Sequence, residues 1–373
     1  MTNPFDSYRP ENTGQRRKKR LQGEDANTDG RKGGKRRCGA GAEDGSREMQ
    51  VVGDMQFSSY YGRPVVKAPP WEKPIALYLF LGGLAGGSSL LAAGAMATGR
   101  PIMRRNSRLL ALGALGLGTV ALIEDLGRPD RFLNMMRTVK ITSPMSLGTW
   151  ILSAFGTFAG ATGTLEIDRL TGERLPLGPM RPLLQLAEAP AAAGQAAFAP
   201  LLASYTGALL GDTAVPTWAA GRDNLSFLFV SSASLAAGGA AMVSCPIEET
   251  KPAQIMAVAG TVGDLVFGHR LKEAMHPLER EPLETGHAGH MMHWAERLAI
   301  AGGIGALFAR KSRAIAVASG LALMGASALT RFGVLEAGLE SVKDPRRVIE
   351  PQKARLAARR AKGITDDSIT TAG

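Results

Sequence analysis

A stretch of 26 residues without a charged side chain, residues 74–99, constrains this chain more than any other feature. An α-helix needs about 20 predominantly apolar residues to cross the hydrocarbon core of a bilayer. Trp71 and Tyr78 lie toward one end of the run, where aromatic rings anchor helices at the membrane–water interface. The run therefore predicts a transmembrane helix.

Further apolar segments predict that the chain crosses the membrane several times. Uncharged runs follow at residues 109–123, 141–165, 189–211 and 224–247. Three later segments contain isolated charges, at residues 252–266, 291–309 and 314–335. A large soluble helical core is the alternative, but buried soluble helices do not string together so many long uncharged runs. We predict an all-α, polytopic integral membrane protein with about eight transmembrane helices.

The net charge of +11 is concentrated at the two ends of the chain. Residues 1–56 are predicted to be a disordered basic extension, because their polar composition cannot bury a core. Residues 57–342 are the predicted membrane domain, and residues 343–373 a basic polar tail. The tails have almost no aromatic residues for base stacking, so attraction to anionic lipid is favoured and no nucleic-acid partner is expected.

Lysine and arginine residues near the predicted spans indicate the orientation of the chain. With both termini inside, sixteen basic residues flank the spans on the inner side and eleven on the outer side. Positive charge concentrates on the cytoplasmic side of membrane proteins. We therefore predict a multi-pass protein of the cell membrane with both termini in the cytoplasm.

Cysteine and histidine usage disfavours a redox centre bound by this chain alone. Cys38 and Cys245 are too few to hold an iron–sulfur cluster and are expected to be free thiols. All five histidines fall within residues 269–293, which argues against a haem held between two helices. The spacing of His287, His290 and His293 could chelate a metal, but without a carboxylate or cysteine a solvated loop is favoured. No bound metal or cofactor is expected.

The most distinctive segment lies between the second and third predicted spans. Residues 124–150 read EDLGRPDRFLNMMRTVKITSPMSLGTW. Basic residues at a membrane edge grip lipid headgroups or an acidic partner protein. In this interpretation Glu124 and Asp125 pair with Arg128 and Arg131, and simple interface charge remains the plainer alternative.

This segment resembles the signature of the NrfD family of membrane subunits, which includes the membrane subunit of polysulfide reductase. The resemblance extends to WEKPIALYLFLGGLAGG at residues 71–87, YTGALL at 205–210 and VPTW at 215–218. It covers about residues 57–340. The histidine-containing loop at residues 270–293 has no place in the family pattern.

The resemblance implies eight helices in two four-helix bundles and no redox centre within the chain. Such a subunit docks an iron–sulfur electron-transfer subunit, which is attached to a molybdopterin catalytic subunit. It exchanges electrons with menaquinone or ubiquinone, as in anaerobic respiration. The implied function is the membrane anchor and quinone-reactive subunit of a formate dehydrogenase-like or polysulfide reductase-like oxidoreductase, with possible proton movement.

The resemblance also assigns candidate sites. Quinone binding falls on Trp71, Glu72, Tyr78 and Tyr205, and tyrosine suits a quinone because it offers a hydrogen-bond donor beside an apolar ring. Without the resemblance, Tyr78 and Tyr205 read equally well as interfacial anchors. The residues expected to dock the iron–sulfur subunit are Arg128, Arg131, Asn134, Arg137 and Lys140.

Carboxylates in or beside the spans are candidates for proton transfer, because charged groups in hydrocarbon are costly and tend to be functional. The candidates are Glu72, Glu188, Asp264 and Glu296. Two alternatives remain open: Asp264 pairs with His269 or Arg270, and Glu296 pairs with Arg297.

A secondary transporter or ion carrier is the alternative function. Transporters of that class show inverted repeats and interrupted spans. Pro190 and Pro200 are expected to interrupt the fourth span, but the sequence contains no convincing internal repeat.

Overall fold

The computed structural model describes residues 64–125, 134–137 and 139–363. Helices provide the regular structure of these residues, which contain no strand, so the all-α prediction is confirmed. The predicted basic extension, 1–56, lies outside the described residues, as do Arg128 and Arg131. In chain order the helices are α1 (Lys73–Ala97), α2 (Pro101–Asp125), α3 (Pro144–Leu170), α4 (Met180–Leu186), α5 (Glu188–Gly211), α6 (Pro216–Ala220), α7 (Arg222–Ser244), α8 (Lys251–Glu273), α9 (Pro277–Glu284), α10 (Gly286–Phe308), α11 (Arg313–Ser341) and α12 (Arg346–Ala361).

Four helices, α1, α2, α7 and α11, are long and apolar enough to cross a membrane. This finding supports a membrane-spanning protein. The described residues contain four other helices of 23 to 27 residues, namely α3, α5, α8 and α10. These are equally long but richer in alanine, threonine or charged residues. The count of eight crossings stays a prediction.

Proline and glycine mark several helix boundaries. Pro74, Pro144 and Pro252 occupy the first turns of α1, α3 and α8, where a missing backbone N–H costs nothing. Gly99, just after α1, has a φ of 65°, the left-handed conformation that favours glycine and turns the chain into α2.

The long helices pack mainly against their neighbours in the chain. Helix α1 packs on α2, α7 on α8, and α10 on α11, while α3 packs on α5. Helices α1, α5 and α11 also contact α7, which joins the earlier helices to the later ones. A Cβ on Gly239 of α7 would lie 2.6 Å from the Gly320 carbonyl oxygen of α11, so close helix approach requires a small residue here.

Helix α5 continues through Pro200 from Glu188 to Gly211. Proline removes one backbone donor from the helix interior, which commonly kinks a helix without ending it. The interruption that the transporter alternative expected at the fourth span is therefore not seen.

The chain after residue 343 includes a helix rather than only a polar tail. Helix α12 buries Val348 and Pro351, and its Arg355 donates to Glu279 of α9 at 2.8 Å. Arg347 donates to Glu281 of the same helix at 3.2 Å. These ion pairs hold α12 against α9.

Candidate functional site

One end of the helix assembly, here called the Trp71 end, is identified by contacts around Trp71. Its ring stacks on that of Trp218 in α6, with centroids 5.6 Å apart and planes 26° apart. Trp218 is fully buried, and its indole N–H donates to the Val334 carbonyl of α11 at 2.7 Å. The backbone amide of Glu72 hydrogen-bonds the Asp125 carboxylate at the end of α2. The start of α1 therefore meets the ends of α2 and α11 and the short helix α6.

Tyr78 and Tyr205 are in direct contact at this end. Tyr78 is on the second turn of α1 and is buried, whereas Tyr205 is near the end of α5 and is half-buried. Their hydroxyl groups hydrogen-bond each other. A Cβ on Gly148 of α3 would overlap the Tyr205 ring, so the glycine creates the space for this tyrosine.

A cavity of about 450 Å³ lies beside Tyr205, between the first turns of α3, the end of α5 and the start of α7. Its wall is largely apolar, with Asp212, Arg222 and Asp223 among the polar contributors. Ligand sites in proteins have this size range and combine apolar walls with a few polar groups. The lining residues are Ile141, Thr142, Pro144, Leu147, Ile151, Tyr205, Ala208, Gly211, Asp212, Arg222, Asp223 and Ser226.

The structure brings the four predicted quinone residues to the same end but to different positions. Tyr205 lines the cavity. Tyr78 does not line it but hydrogen-bonds the Tyr205 hydroxyl. Trp71 and Glu72 are at the Trp71 end without lining the cavity. Glu72 is exposed at the start of α1, and its side chain does not cap the helix.

The predicted docking residues that the structure describes lie on the surface before α3. Asn134 and Arg137 are exposed in a short helical turn at residues 134–137. Lys140 is exposed as well, and its backbone N–H donates to the Ser146 hydroxyl at 3.0 Å. Ile141 follows directly and lines the cavity. The described part of the docking segment therefore adjoins the cavity wall.

Glu188 lies at the opposite end of the assembly, here called the Arg108 end, where α1, α2, α3 and α5 meet. Its carboxylate accepts from Arg108 at 2.6 Å and from Arg169 at 2.9 Å. Arg108 also donates to Glu166 at 2.9 Å and to the Met96 sulfur at 3.2 Å. Glu188 is thus a member of a paired ionic cluster rather than an isolated carboxylate.

Asp264 is buried within the later helices, in the electrostatic range of charges on two neighbouring helices. It interacts electrostatically with Arg331 of α11 and with Glu296 of α10. No hydrogen-bond partner for its Oδ1 exists among the described residues. Arg331 is fully buried; it donates to the Phe229 carbonyl at 2.5 Å and lies 3.7 Å from the centroid of that ring.

The charge pairs expected as alternatives are not formed. His269 lies 3.1 Å from Glu273, and Arg270 lies over the Phe267 ring at 5.8 Å. Glu296 is exposed on α10, and the neighbouring Arg297 lies over Trp294 at 5.4 Å. The charged groups that interact electrostatically with Asp264 are instead Arg331 and Glu296.

The three closely spaced histidines are helical rather than part of a loop. His287, His290 and His293 are exposed on the first turns of α10, because that helix begins at Gly286, earlier than the apolar run predicted. His287 lies 2.9 Å from Glu336. Within the described ranges, no group of three or more histidine, cysteine or acidic residues could hold a metal. Cys245 is free and buried, and Cys38 falls outside those ranges.

Three residues important for this geometry were not among the predicted site residues. Trp218 lies in the VPTW motif and Gly148 in the segment 124–150, but the sequence alone assigns neither residue a role. Arg331 is the isolated charge in the predicted span at residues 314–335. A lone arginine in a predicted span is itself a signal of function, because its burial is costly.

The long apolar helices and the open cavity at one end define a polytopic integral membrane protein with a candidate ligand site. The family model described as "Polysulphide reductase, NrfD" matches residues 65–267, more than half of the chain. The chain belongs to the NrfD family, whose members are membrane subunits of polysulfide reductase-like complexes. Members typically work with iron–sulfur and molybdopterin subunits. Among curated proteins, none matches this chain significantly.

The match covers α1 to α7 and most of α8, a shorter region than the predicted 57–340. Tyr78, Tyr205 and Asp264 lie within it. Glu296 and Arg331 lie beyond it.

Proposed function

We propose that this protein is the membrane anchor and quinone-reactive subunit of a molybdopterin oxidoreductase complex, either formate dehydrogenase-like or polysulfide reductase-like. The observation that carries the proposal is the Tyr78–Tyr205 hydroxyl pair beside a largely apolar cavity of about 450 Å³. Membership of the NrfD family supports the same reading.

A quinone, menaquinone or ubiquinone, occupies the cavity with a carbonyl oxygen toward Tyr205. The tyrosine hydroxyl donates to that oxygen, and the apolar wall from Ile141 to Ile151 contacts the ring. Tyr78 holds the Tyr205 hydroxyl in place through their shared hydrogen bond. Trp71 contributes indirectly, since its stack on Trp218 fixes the start of α1.

Electrons pass between the quinone and a partner iron–sulfur subunit, which is linked to a molybdopterin catalytic subunit. The docking surface comprises Arg128, Arg131, Asn134, Arg137 and Lys140. Support comes from the exposure of Asn134, Arg137 and Lys140 and from the position of Lys140 next to the cavity-lining Ile141. A partner bound there would bring its cluster toward the quinone.

Protons move through two carboxylates, one exposed at the Trp71 end and one buried within the helices. Glu72 is exposed at the Trp71 end and exchanges protons with water. Asp264 is buried opposite Arg331 and takes part in a deeper transfer with Glu296. Glu188 is the weakest of the four candidates, because two arginines stabilise its ionised form.

All eight long helices cross the cell membrane in two four-helix bundles. The first bundle consists of α1, α2, α3 and α5, and the second of α7, α8, α10 and α11. Neighbour packing supports this grouping. An even number of crossings puts both termini on one side, in the cytoplasm, together with the catalytic partner. A reporter fused at residue 373 that is active only in the periplasm would overturn this topology.

Quinone turnover by the purified complex tests the proposed site. Tyr205→Phe removes the donor and is expected to lower kcat/KM for quinone at least tenfold, corresponding to about 1.4 kcal/mol of lost transition-state stabilisation. Ser204→Ala is the matched control, because it removes an exposed hydroxyl from the same helix. It should stay within about twofold of the wild type, since exposed substitutions rarely matter. If Tyr205→Phe and Glu72→Gln both turn over quinone normally, the site is wrong.

A further inference from the structure

A second cavity, of about 200 Å³, opens at the Arg108 end between the first turn of α2 and the last turn of α3. Its lining differs from that of the larger cavity because arginine dominates it. Three arginines contribute, together with one carboxylate and a few apolar residues. The lining residues are Pro101, Ile102, Arg104, Arg105, Glu166, Arg169 and Leu170.

The carboxylates at this end are already paired with arginines. Glu166 accepts from Arg104 at 2.9 Å, from Arg108 at 2.9 Å and from Arg169 at 3.3 Å. Glu188 accepts from Arg108 and Arg169. With Arg105, four guanidinium groups face two carboxylates, so the cluster carries a net charge of +2.

Another carboxylate at this end, Glu249, serves the helix backbone. Glu249 accepts from the backbone amides of Ile102 at 3.4 Å and Met103 at 2.6 Å. A carboxylate in this position offsets the partial positive charge at the start of α2. The positive charge of the arginine side chains therefore remains available to an additional anionic group.

Two of the guanidinium groups have unused donors. Arg104 uses only its Nε on Glu166, and Arg105 uses only its Nε on the adjacent Asn106 at 3.2 Å. Within the described part of the chain, their terminal amino groups donate to no protein atom, and Arg105 has no acidic partner. Paired N–H groups of arginine match the oxygens of a phosphoryl group in a bidentate arrangement.

The helix face that continues from Arg105 is apolar and exposed. Spacings of four, four, three and four residues from Arg105 keep four residues on one face of α2: Leu109, which is half-buried, and Gly113, Gly116 and Val120, which are exposed. Val120 is 63% exposed, and Leu170 at the cavity rim is 51% exposed. In a membrane, this face contacts acyl chains while the arginines lie at the headgroup level.

We propose that this cavity binds the phosphoryl group of an anionic phospholipid, held by the terminal amino groups of Arg104 and Arg105. The acyl chains run along the exposed face of α2. The site is separate from the quinone cavity and does not depend on the proposed function.

Lipid titration of the purified full-length chain, followed by native mass spectrometry, tests the site. The probes are dioleoylphosphatidylglycerol, dioleoylphosphatidylcholine and inorganic phosphate. We expect one phosphatidylglycerol to bind at least tenfold more tightly than phosphatidylcholine. Arg105→Gln should weaken phosphatidylglycerol binding about fivefold, and Arg104→Gln with Arg105→Gln about 25-fold.

The matched control is Arg310→Gln with Lys311→Gln, an exposed basic pair between α10 and α11, also at the Arg108 end. It should stay within twofold of the wild type. Equal binding of the two lipids, or wild-type binding by Arg105→Gln, would overturn the proposal. If inorganic phosphate binds as tightly as phosphatidylglycerol, the lipid assignment fails and a free-anion site replaces it. Arg105→Gln touches neither glutamate, so it remains informative even if the double variant does not fold.

Discussion

Arg108 and Arg331 are both almost completely buried, yet their surroundings differ in how well they are satisfied. Arg108 donates to Glu166, to Glu188 and to the Met96 sulfur. Arg331 donates to one backbone carbonyl, and its Nε and Nη1 have no partner among the described residues. Asp264, the acid that faces it, also has an unpartnered oxygen. Arg108 is thus paired with two carboxylates, whereas Arg331 is hydrogen-bonded to none.

This difference in hydrogen bonding predicts that the two arginines contribute differently to stability. Buried ion pairs with complete hydrogen bonding fasten helices together, whereas an incompletely satisfied charge costs stability. Arg331 lies ten residues before the end of α11, about 15 Å along the helix, and so lies well inside the assembly. Charged groups buried in membrane-spanning helices are costly, which is why Arg331 and Asp264 are candidates for the proton transfer proposed above.

The largest expected effect is on the paired arginine. Arg108→Met leaves Glu166 and Glu188 with fewer partners and should lower the free energy of unfolding by about 3–5 kcal/mol. Denaturant unfolding of the purified protein in detergent measures the change. Arg310→Met, an exposed arginine at the same end, serves as control. A loss below about 1 kcal/mol for Arg108→Met would remove the basis for calling this cluster structural.

Arg331→Met should cost less, about 1–3 kcal/mol, because it breaks a single hydrogen bond and Asp264 can take up a proton. Adding Asp264→Asn should restore part of that loss, since no uncompensated charge then remains. A double-mutant cycle on the unfolding free energies measures this coupling. Equal losses of unfolding free energy in Arg331→Met and Arg108→Met would contradict the predicted difference between the two arginines.

A neutral hydrogen bond beside Arg331 provides a smaller reference. Ser232 of α7 and Ser327 of α11 are buried, and their hydroxyls are 2.9 Å apart. Ser232→Ala should cost about 1 kcal/mol in the same unfolding assay, because Ser327 loses its partner. Ser234→Ala removes only a bond to the backbone of its own helix and should change stability less. Equal effects would mean that the interhelical bond contributes nothing.

The smallest effect is expected at the surface. His287 and Glu336 are close but exposed, with 74% and 44% of their side chains accessible. Exposed pairs of this kind contribute little, so His287→Gln should alter the unfolding free energy by less than about 0.5 kcal/mol. A larger loss would show that this pair fastens α10 to α11.

The apolar runs predicted where long helices occur but not where they begin and end. Helix α2 begins at Pro101, well before the uncharged run at residue 109, and includes Arg104 and Arg108. Helix α3 likewise continues past its run through Glu166. These charges are tolerated because they pair between helices. Such pairing depends on which helices are neighbours, and hydropathy along one chain does not contain that information.

The candidate site, like the helices, was predictable from the sequence only in part. The family motifs singled out Tyr78 and Tyr205, and the structure places their hydroxyls in contact. Gly148 was not predictable as the residue that admits the Tyr205 ring, because its role arises from the distance between α3 and α5. The Trp71–Trp218 stack is likewise a product of tertiary packing.

The shared hydrogen bond of Tyr78 and Tyr205 has a consequence for proton positions. Each phenol carries one proton, but a bond between two hydroxyls uses only one of the two. Tyr78 is buried and contacts no other acceptor among the described residues, whereas Tyr205 borders the cavity. When Tyr78 donates to Tyr205, the proton of Tyr205 stays available to a group in the cavity that this residue borders. The Tyr205 hydroxyl then offers a donor at the cavity, which suits an acceptor such as a carbonyl oxygen.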